Sequence, residues 1–346
     1  MALFYLYSHP LIPKKRYFYP PYKLRIAMHK EGPFYSIGID IGGTSSKIGL
    51  VDQDGRLLAR RALDTQATSD SEGFTRALAD VALEILKDAR LDGQVLGIGI
   101  GAPGVDERAG TIAAAANLPF REPFALGDML VQQTGLPARL VKDSSAAIVG
   151  ERTFGGAKGM DHFILITLGT GLGSALMIHG KVITGSNGLA SEYGHSPAVP
   201  NGRQCNCGKL GCLETYVSAP GVKRTVYELM ASFKSDSPLR QVPFQQMDAR
   251  MIFEAAERGD ALAQEAFRRT GHLLGRAIAG LIVLLDPQAV FLAGGLIQAG
   301  PLLFNAVEAG LEEHLLPMFS GSCRILPSSL GGEDTGILGA AAMMMP

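Results

Sequence analysis

Two β-rich runs joined by a glycine turn occur twice in the sequence, about 127 residues apart. The first spans residues 34–52 with its turn at 41–46, and the second spans residues 162–178 with its turn at 169–173. Apolar and β-branched runs that end in glycine favour strands and tight turns. Because each turn leads into another strand rather than a helix, a P-loop and a dinucleotide-binding βαβ unit are both excluded. The repeat predicts a duplicated α/β chain, with two lobes that face each other across a cleft.

A third glycine turn, Gly294-Gly295, follows the apolar run 289–293. The backbone N–H groups of glycine turns can hold a polyphosphate, and a glycine pair leaves room for a flat ring against the backbone. Each of the three turns taken singly is also what an ordinary β-turn looks like. Their order along the chain predicts a nucleotide site.

Helical periodicity places the remaining elements. It predicts a helix over 73–90, with Ser69 and Glu72 positioned for a capping box, and a long apolar helix over 261–285. A last helix is expected over 334–345. The long helix and the segment 304–316 are also candidates for a subunit interface, which would make the protein a homodimer or homotetramer.

The composition excludes several classes of protein. Hydrophobic residues make up 47% of the 346 residues and charged residues 19%, which is too apolar for a disordered chain. The formal net charge of -1 provides no field that would attract nucleic acid or an anionic membrane, and we expect neither partner. Residues 1–34 read as a leader, either a disordered basic arm or a mis-annotated start before Met28.

Three of the four cysteines lie within eight residues, and a histidine precedes them by ten. His195, Cys205, Cys207 and Cys212 form a complete tetrahedral ligand set for Zn²⁺. Four protein ligands indicate a structural rather than a catalytic zinc. The alternative is a set of reduced cysteines in a cytoplasmic loop.

Several segments together resemble the ROK family of sugar kinases and sugar-responsive regulators, within the actin-like ATPase superfamily. Residues 39–44 and 168–173 resemble the two phosphate motifs of the superfamily, and residues 292–295 resemble its adenosine motif. Segments typical of the family itself are Gly101-Ala102-Pro103-Gly104-Val105-Asp106, Asn117-Leu118-Pro119, Glu192-Tyr193-Gly194-His195 and the run 205–214, which contains three cysteines. The resemblance implies an α/β fold of two actin-like ATPase (ribonuclease H-like) lobes with a central nucleotide and sugar cleft. We expect a small lobe of residues 35–141 plus 334–346, and a large lobe of residues 142–333 with the zinc loop.

The resemblance also assigns roles to residues. Asp143 is the expected catalytic base, although an aspartate after a strand can equally be a helix N-cap. Asp40 is the expected acid near Mg²⁺, and the sugar is expected to contact Asn117, Asp143, Glu192, His195 and Glu214. ATP and Mg²⁺ are expected at Asp40, Gly42, Gly43, Thr44, Gly169, Thr170, Gly171, Gly294 and Gly295.

The sequence departs from the family beside the expected base. Lys142 and Ser145 stand where these kinases usually have asparagine, and Ser191 stands where they usually have glycine. We expect the Lys142 ammonium to lower the pKa of Asp143 and to alter the choice of sugar.

The function implied is ATP-dependent phosphorylation of a hexose or N-acetylhexosamine, at the 6-hydroxyl, by a cytoplasmic enzyme. The alternative is a catalytically weak sugar sensor of the same family. No DNA-binding domain is expected, because only about 35 residues precede the hairpin that contains the first glycine turn.

Overall fold

The computed structural model describes residues 32–68, 70–112, 118–330, 332 and 334–346. Most of the predicted leader therefore lies outside the described residues. The first sheet contains both sides of the first glycine turn, and its strands are β1 (Phe34–Ile41), β2 (Ser45–Asp52), β3 (Leu57–Asp64), β4 (Gln94–Ala102) and β7 (Ala138–Lys142). They lie in the order β3-β2-β1-β4-β7, and the short strands β5 (Val105–Asp106) and β6 (Thr111–Ile112) pair separately.

The second sheet repeats this plan. Its strands are β8 (Phe163–Leu168), β9 (Leu172–Ile178), β10 (Lys181–Val182), β11 (Ala289–Ala293) and β12 (Arg324–Pro327). They lie in the order β10-β9-β8-β11-β12. In both sheets the first three strands of the repeat are antiparallel, and the last two are parallel to the first. The predicted internal duplication is confirmed, and the fold is the expected α/β fold.

Helices cover the faces of both sheets, and those of the described residues are α1 (Ser71–Asp88), α2 (Leu126–Thr134), α3 (Asp143–Thr153), α4 (Glu214–Val217), α5 (Ala219–Ser232), α6 (Ala249–Glu257), α7 (Ala261–Leu285), α8 (Pro301–His314) and α9 (Thr335–Ala342). Helices α1 and α2 pack on the first sheet, and α5, α7 and α8 pack on the second. Within the described part of the chain, no helix is long and apolar enough to cross a bilayer.

The observed helix ends agree with those predicted from the apolar periodicity where the apolar pattern is long. The predicted helix over 261–285 is confirmed residue for residue as α7, whereas α9 ends at Ala342, before the expected residue 345. The capping assignment of α1 is wrong, because Asp70 is the N-cap and its carboxylate accepts the N–H groups of Glu72 and Gly73. Ser69 lies outside the described residues. An aspartate carboxylate caps a helix as well as a serine hydroxyl does, so Ser69 and Asp70 were both chemically suited to be the N-cap.

Helices α3 and α9 lie against each other, and α9 rests directly on the first sheet. A Cβ atom at Gly99 of β4 would lie 1.7 Å from the carbonyl oxygen of Ala340, and one at Gly38 of β1 would lie 2.1 Å from that of Ile337. No side chain fits in this space, so part of the glycine content serves close helix–sheet packing rather than turns. The chain leaves the first sheet through α3, which carries Asp143, and returns to it through α9.

Candidate active site

Asp143 is the first residue of α3, directly after β7 ends at Lys142. Its carboxylate accepts the N–H of Ser144, 2.6 Å from Oδ1, and thereby occupies a donor of the first helical turn. Burial raises the pKa of Asp143 above the usual range of an aspartate, and this outweighs the Ser144 hydrogen bond, which lowers it. A carboxylate with a raised pKa suits a general base better than one with an ordinary pKa does.

A second carboxylate, that of the half-buried Asp40, lies close enough to Asp143 for their charges to interact. Asp40 is near the end of β1 and pairs with Gly101 of β4, and a Cβ atom at Gly101 would lie 3.6 Å from the Cα of Asp143. The two acids meet because parallel strands end at the same edge of a sheet. Burial raises the pKa of Asp40, and the charge of Asp143 raises it further, against the opposing effect of Lys47. A cation between these two acids would relieve their repulsion.

Lys142 has the predicted effect on the pKa of Asp143, but other groups outweigh it. Its ammonium lies 3.0 Å from Oε1 of Glu192, which belongs to the segment that follows the second sheet's hairpin. Lys142 lowers the pKa of Asp143 as expected, but desolvation and Glu192 act in the opposite direction, so the net shift is upward. This net shift could not be read from the sequence, because desolvation of Asp143 is set by tertiary packing.

The second glycine turn is held by Glu214, the first residue of α4. Its Oε2 accepts the N–H of Leu172 at 2.9 Å, and a Cβ atom at Gly171 would lie 2.5 Å from the same oxygen. The carbonyl of Gly169 accepts the N–H of Ala219 at 2.9 Å. Glu214 therefore ties the turn 169–171 to the loop that holds Cys205, Cys207 and Cys212. Its expected contact with a sugar stays a prediction.

The Gly294-Gly295 turn lies against the second glycine turn. Gly294 has a φ of +89°, in the region that favours glycine, and a Cβ atom there would lie 2.4 Å from the carbonyl oxygen of Leu168. Leu168 immediately precedes the turn that includes Thr170. The structure thus brings the expected adenosine and phosphate motifs of the second lobe together.

The first glycine turn is fixed by residues that follow β3. The carbonyl of Thr44 accepts the N–H of Thr65 at 2.9 Å, and the Gln66 side-chain amide donates to the carbonyl of Gly43. Within the turn, Gly42 N–H donates to the carbonyl of Ser45 at 3.1 Å. These hydrogen bonds hold the turn in place, which is the preorganisation that a phosphate cradle would need.

The cysteine segment, residues 190–213, brings its four metal-ligand candidates to one point. One donor atom from each of His195, Cys205, Cys207 and Cys212 lies within 4.8 Å of all the others. Nδ1 of His195 is 3.6 Å from Sγ of Cys205, and the sulfurs of Cys207 and Cys212 are 3.6 Å apart. Tetrahedral Zn²⁺ with bonds of about 2.0–2.3 Å separates its ligand atoms by about 3.5–3.8 Å, so the residues fit this ion. The outer nitrogen Nε2 of His195 is left for another partner.

Ser191 and its neighbours line a polar recess beside Asp143. The recess is lined by Lys142, Ser144, Ser145, Ser174 and Ser191, together with Glu107 and residues of 182–190. Ser191 has a φ of +70°, and its hydroxyl is buried with no hydrogen-bond partner among the described residues. The left-handed backbone explains why a glycine suits this position. Asn117, the remaining predicted sugar ligand, lies outside the described residues.

Sequence reasoning missed Glu151, a carboxylate on α3 with 1% of its surface exposed. It accepts the N–H of Gly156 at 2.7 Å and the hydroxyl of Ser328 at 2.5 Å, and both groups of Ser329 lie 3.3 Å from it. These bonds fix α3 to the segment after β12. No local pattern marks a glutamate in a helix as buried, so the sequence offered no signal.

Comparisons with known proteins agree with this geometry. The sequence matches the ROK family over residues 36–346, and the chain belongs to that family. It is 36% identical over 311 residues to a glucokinase of Thermotoga maritima, covering 89% of this chain and 96% of the relative. The crystal structure of a ROK family glucokinase from Streptomyces griseus, in complex with glucose and AMPPNP, is similar with a TM-score of 0.73 and 33% identity, covering 89% of this chain and 98% of the other. A xylose repressor of Bacillus spizizenii is 24% identical over 311 residues, covering 90% of this chain and 77% of the repressor.

Proposed function

We propose that the protein is an ATP-dependent sugar kinase that phosphorylates a hexose. The observation that carries the proposal is the pair of neighbouring acids with raised pKa values, Asp40 and Asp143, at the edge of the first sheet next to both glycine turns. Ser144, next to Asp143, lies near the second turn, with its Cβ 4.0 Å from the place of a Cβ atom at Gly173. Membership of the ROK family and the similarity to glucokinases support the same activity.

The proposed chemistry needs few groups. Asp143 accepts the proton of the sugar hydroxyl, and its raised pKa makes it a stronger base once it is ionised. The hydroxyl oxygen then attacks the γ-phosphorus in line, and ADP leaves. The N–H groups of turns 41–46 and 169–173 are placed to hold phosphate oxygens. Mg²⁺, when bound near Asp40, would neutralise phosphate charge, and it would retain water because it dehydrates reluctantly.

We assign binding of the acceptor sugar to the cysteine segment. We propose that a structural Zn²⁺ holds His195, Cys205, Cys207 and Cys212, and that Nε2 of His195 and the Glu192 carboxylate face sugar hydroxyls. Burial raises the pKa of Cys212 to about 12, so a bound cation is what would keep this thiol ionised. Fixed acceptors discriminate between sugars because a mismatched hydroxyl leaves a buried polar group unpaired.

The finer assignments extend this proposal. The acceptor is a hexose or N-acetylhexosamine, and its 6-hydroxyl is the reacting group. The lobes are residues 35–141 plus 334–346 and residues 142–333, and the active form is a homodimer or homotetramer. An ATP-consuming enzyme with free thiols is expected in the cytoplasm.

Coupled ADP release with ATP, Mg²⁺ and a panel of hexoses and N-acetylhexosamines tests the proposal. We expect turnover that depends on one class of sugar and falls by about 10²–10⁴-fold in Asp143→Asn, the range for a lost general base. Asp54→Asn, a change at an exposed turn, is the matched control and should keep full activity. ATP hydrolysis that is independent of sugar would contradict the proposal.

A sugar sensor is the second candidate, because the family includes repressors and because Lys142 replaces the usual asparagine. Binding of a hexose without ADP release would support it. If Lys142→Asn then restored turnover, the lysine would be the cause of the missing kinase activity. Unchanged substrate order in an active Lys142→Asn variant would instead show that the lysine does not select the sugar.

A further inference from the structure

Helices α7 and α8 approach each other so closely that their backbones touch. A Cβ atom at Gly310 of α8 would lie 2.2 Å from the carbonyl oxygen of His272 on α7, and one at Gly275 would lie 2.0 Å from that of Val307. Both glycines are therefore required for this approach. The close contact carries the side chains that follow Gly310 towards His272.

Three potential metal ligands meet at this contact. One donor atom each from His272, Glu313 and His314 lies within 4.8 Å of the others. Nε2 of His272 is 2.7 Å from Oε2 of Glu313, and the two imidazole rings are 5.6 Å apart, at 80° to each other. This cluster is made of helix residues and shares none with the Cys/His set of the cysteine segment.

The hydrogen bond of His314 leaves one of its ring nitrogens in the form that a metal ion needs. Nδ1 of His314 lies 2.9 Å from the carbonyl oxygen of Gly310, to which it donates as N–H, so the lone pair is on Nε2. A backbone carbonyl that orients a histidine in this way is a common partner of metal-binding imidazoles. The His272–Glu313 hydrogen bond requires an N–H on Nε2 of His272, so an ion that binds this nitrogen displaces its proton.

We propose that His272, Glu313 and His314 form a second Zn²⁺ site, which joins α7 to α8. Two imidazole nitrogens and one carboxylate oxygen are a donor set typical of a borderline divalent ion, with a fourth position open to water. Tetrahedral bonds of about 2.0–2.1 Å separate donor atoms by about 3.3 Å, so the His272–Glu313 contact has to open slightly. His272 is 31% exposed and Glu313 64%, which leaves both side chains free to adjust.

The position of the cluster links two parts of the proposed active site. Helix α8 follows the Gly294-Gly295 turn, separated from it by one short turn of helix. Helix α7 supports the cysteine segment, because the carbonyl of Ala277 accepts the Tyr193 hydroxyl at 2.6 Å and Arg276 donates to the carbonyl of Ala198 at 2.6 Å. An ion held between α7 and α8 would therefore stabilise the helices behind both the nucleotide turn and the sugar segment.

Zinc content of the full chain, equilibrated against buffers of fixed free Zn²⁺, tests this proposal. We expect about two ions per chain in the unchanged protein, and about one in Glu313→Gln, His272→Gln or His314→Gln, whose affinity for the second ion falls at least about 100-fold. Glu312→Gln and His179→Gln are matched controls outside the cluster and should keep both ions. Co²⁺ substitution distinguishes the sites, because thiolate charge-transfer absorption belongs to the Cys/His set alone.

Uptake of one ion by the unchanged protein would overturn the proposal, and so would a second ion that persists in the three variants. If the cluster is only an ion pair, Glu313→Gln changes thermal stability equally with and without added Zn²⁺. A second ion shared between associated copies, seen as less than one extra Zn²⁺ per chain with zinc-dependent sedimentation, would also overturn it. None of these results depends on kinase activity.

Discussion

The sheet of residues 34–142 and the sheet of residues 163–327 have the same strand order, yet they meet their helices differently. The first presents Gly38 and Gly99 to the backbone of α9, whereas the second packs large side chains, such as Phe163 and Phe291, against α3. A second difference follows the third strand of each repeat. In the first sheet α1 begins soon after β3, but in the second the chain makes the long irregular excursion that contains the cysteine segment.

This contrast distinguishes the features that both repeats contain from the excursion that the second repeat alone contains. The glycine turns, proposed to hold the nucleotide, occur in both sheets. Glu192 and His195, proposed to face the sugar, belong to the excursion found in the second repeat alone. Asp143, the proposed base, lies at the junction of β7 and α3.

The largest expected effect concerns the packing difference between the sheets. Gly99→Ala places a Cβ atom 1.7 Å from the Ala340 carbonyl oxygen, so α9 has to move. We expect a loss of about 4 kcal/mol or more, or failure to fold. The matched change in the second sheet, Gly173→Ala in β9, meets its nearest atom at 3.7 Å and should alter stability by less than about 1 kcal/mol. Equal denaturation midpoints for the two variants would contradict the contrast.

Loss of the metal should separate sugar binding from nucleotide binding. In Cys205→Ser we expect zinc to be lost and the KM for the sugar to rise about 10-fold or more. Affinity for an ATP analogue, measured by calorimetry, should fall less than affinity for the sugar, because only the second glycine turn is tied to this segment, through Glu214. Cys323→Ser, outside the cluster, is the control. A parallel fall in both affinities would show that the excursion is not an independent acceptor unit.

A smaller effect is expected at Ser191, which the excursion holds in a left-handed conformation. Ser191→Gly relieves this strain and removes a buried hydroxyl without a partner among the described residues, so stability should rise by about 1 kcal/mol. Ser196→Gly is the matched change at an ordinary φ of -65°, and it removes the hydrogen bond to the Tyr193 carbonyl. That variant should be less stable than the unchanged protein. Thermal unfolding that ranks the two variants in the reverse order would refute the assignment of strain.

The smallest effect is a displacement of the acidic limb of the pH–rate profile. Activity requires ionised Asp143, so kcat/KM falls as the pH drops through its raised pKa. Lys142→Met removes the charge that lowers this pKa and should move the limb to higher pH, whereas Glu192→Gln should move it to lower pH. Shifts in the same direction would show that the Lys142–Glu192 pair does not face the base.

Much of the fold was predictable because its signals are local. Glycine turns end apolar runs, a 25-residue helix repeats its apolar positions, and three cysteines lie close in sequence. The position of Asp143 after a strand was equally visible, since the run before it is apolar. The helix cap was misplaced by one residue, because adjacent polar side chains at 69 and 70 were both capable of capping.

The sequence by itself determined the duplicated hairpins, the order of the motifs and the chemistry of the ligand set, because each depends on residues that are neighbours along the chain. Tertiary structure alone decided the raised pKa of Asp143, the pairing of Lys142 with Glu192, and the attachment of Glu214 to the second turn. These depend on burial and on contacts between residues 42–50 positions apart. Electrostatic energy varies with depth and distance in space, and neither can be read from spacing in sequence.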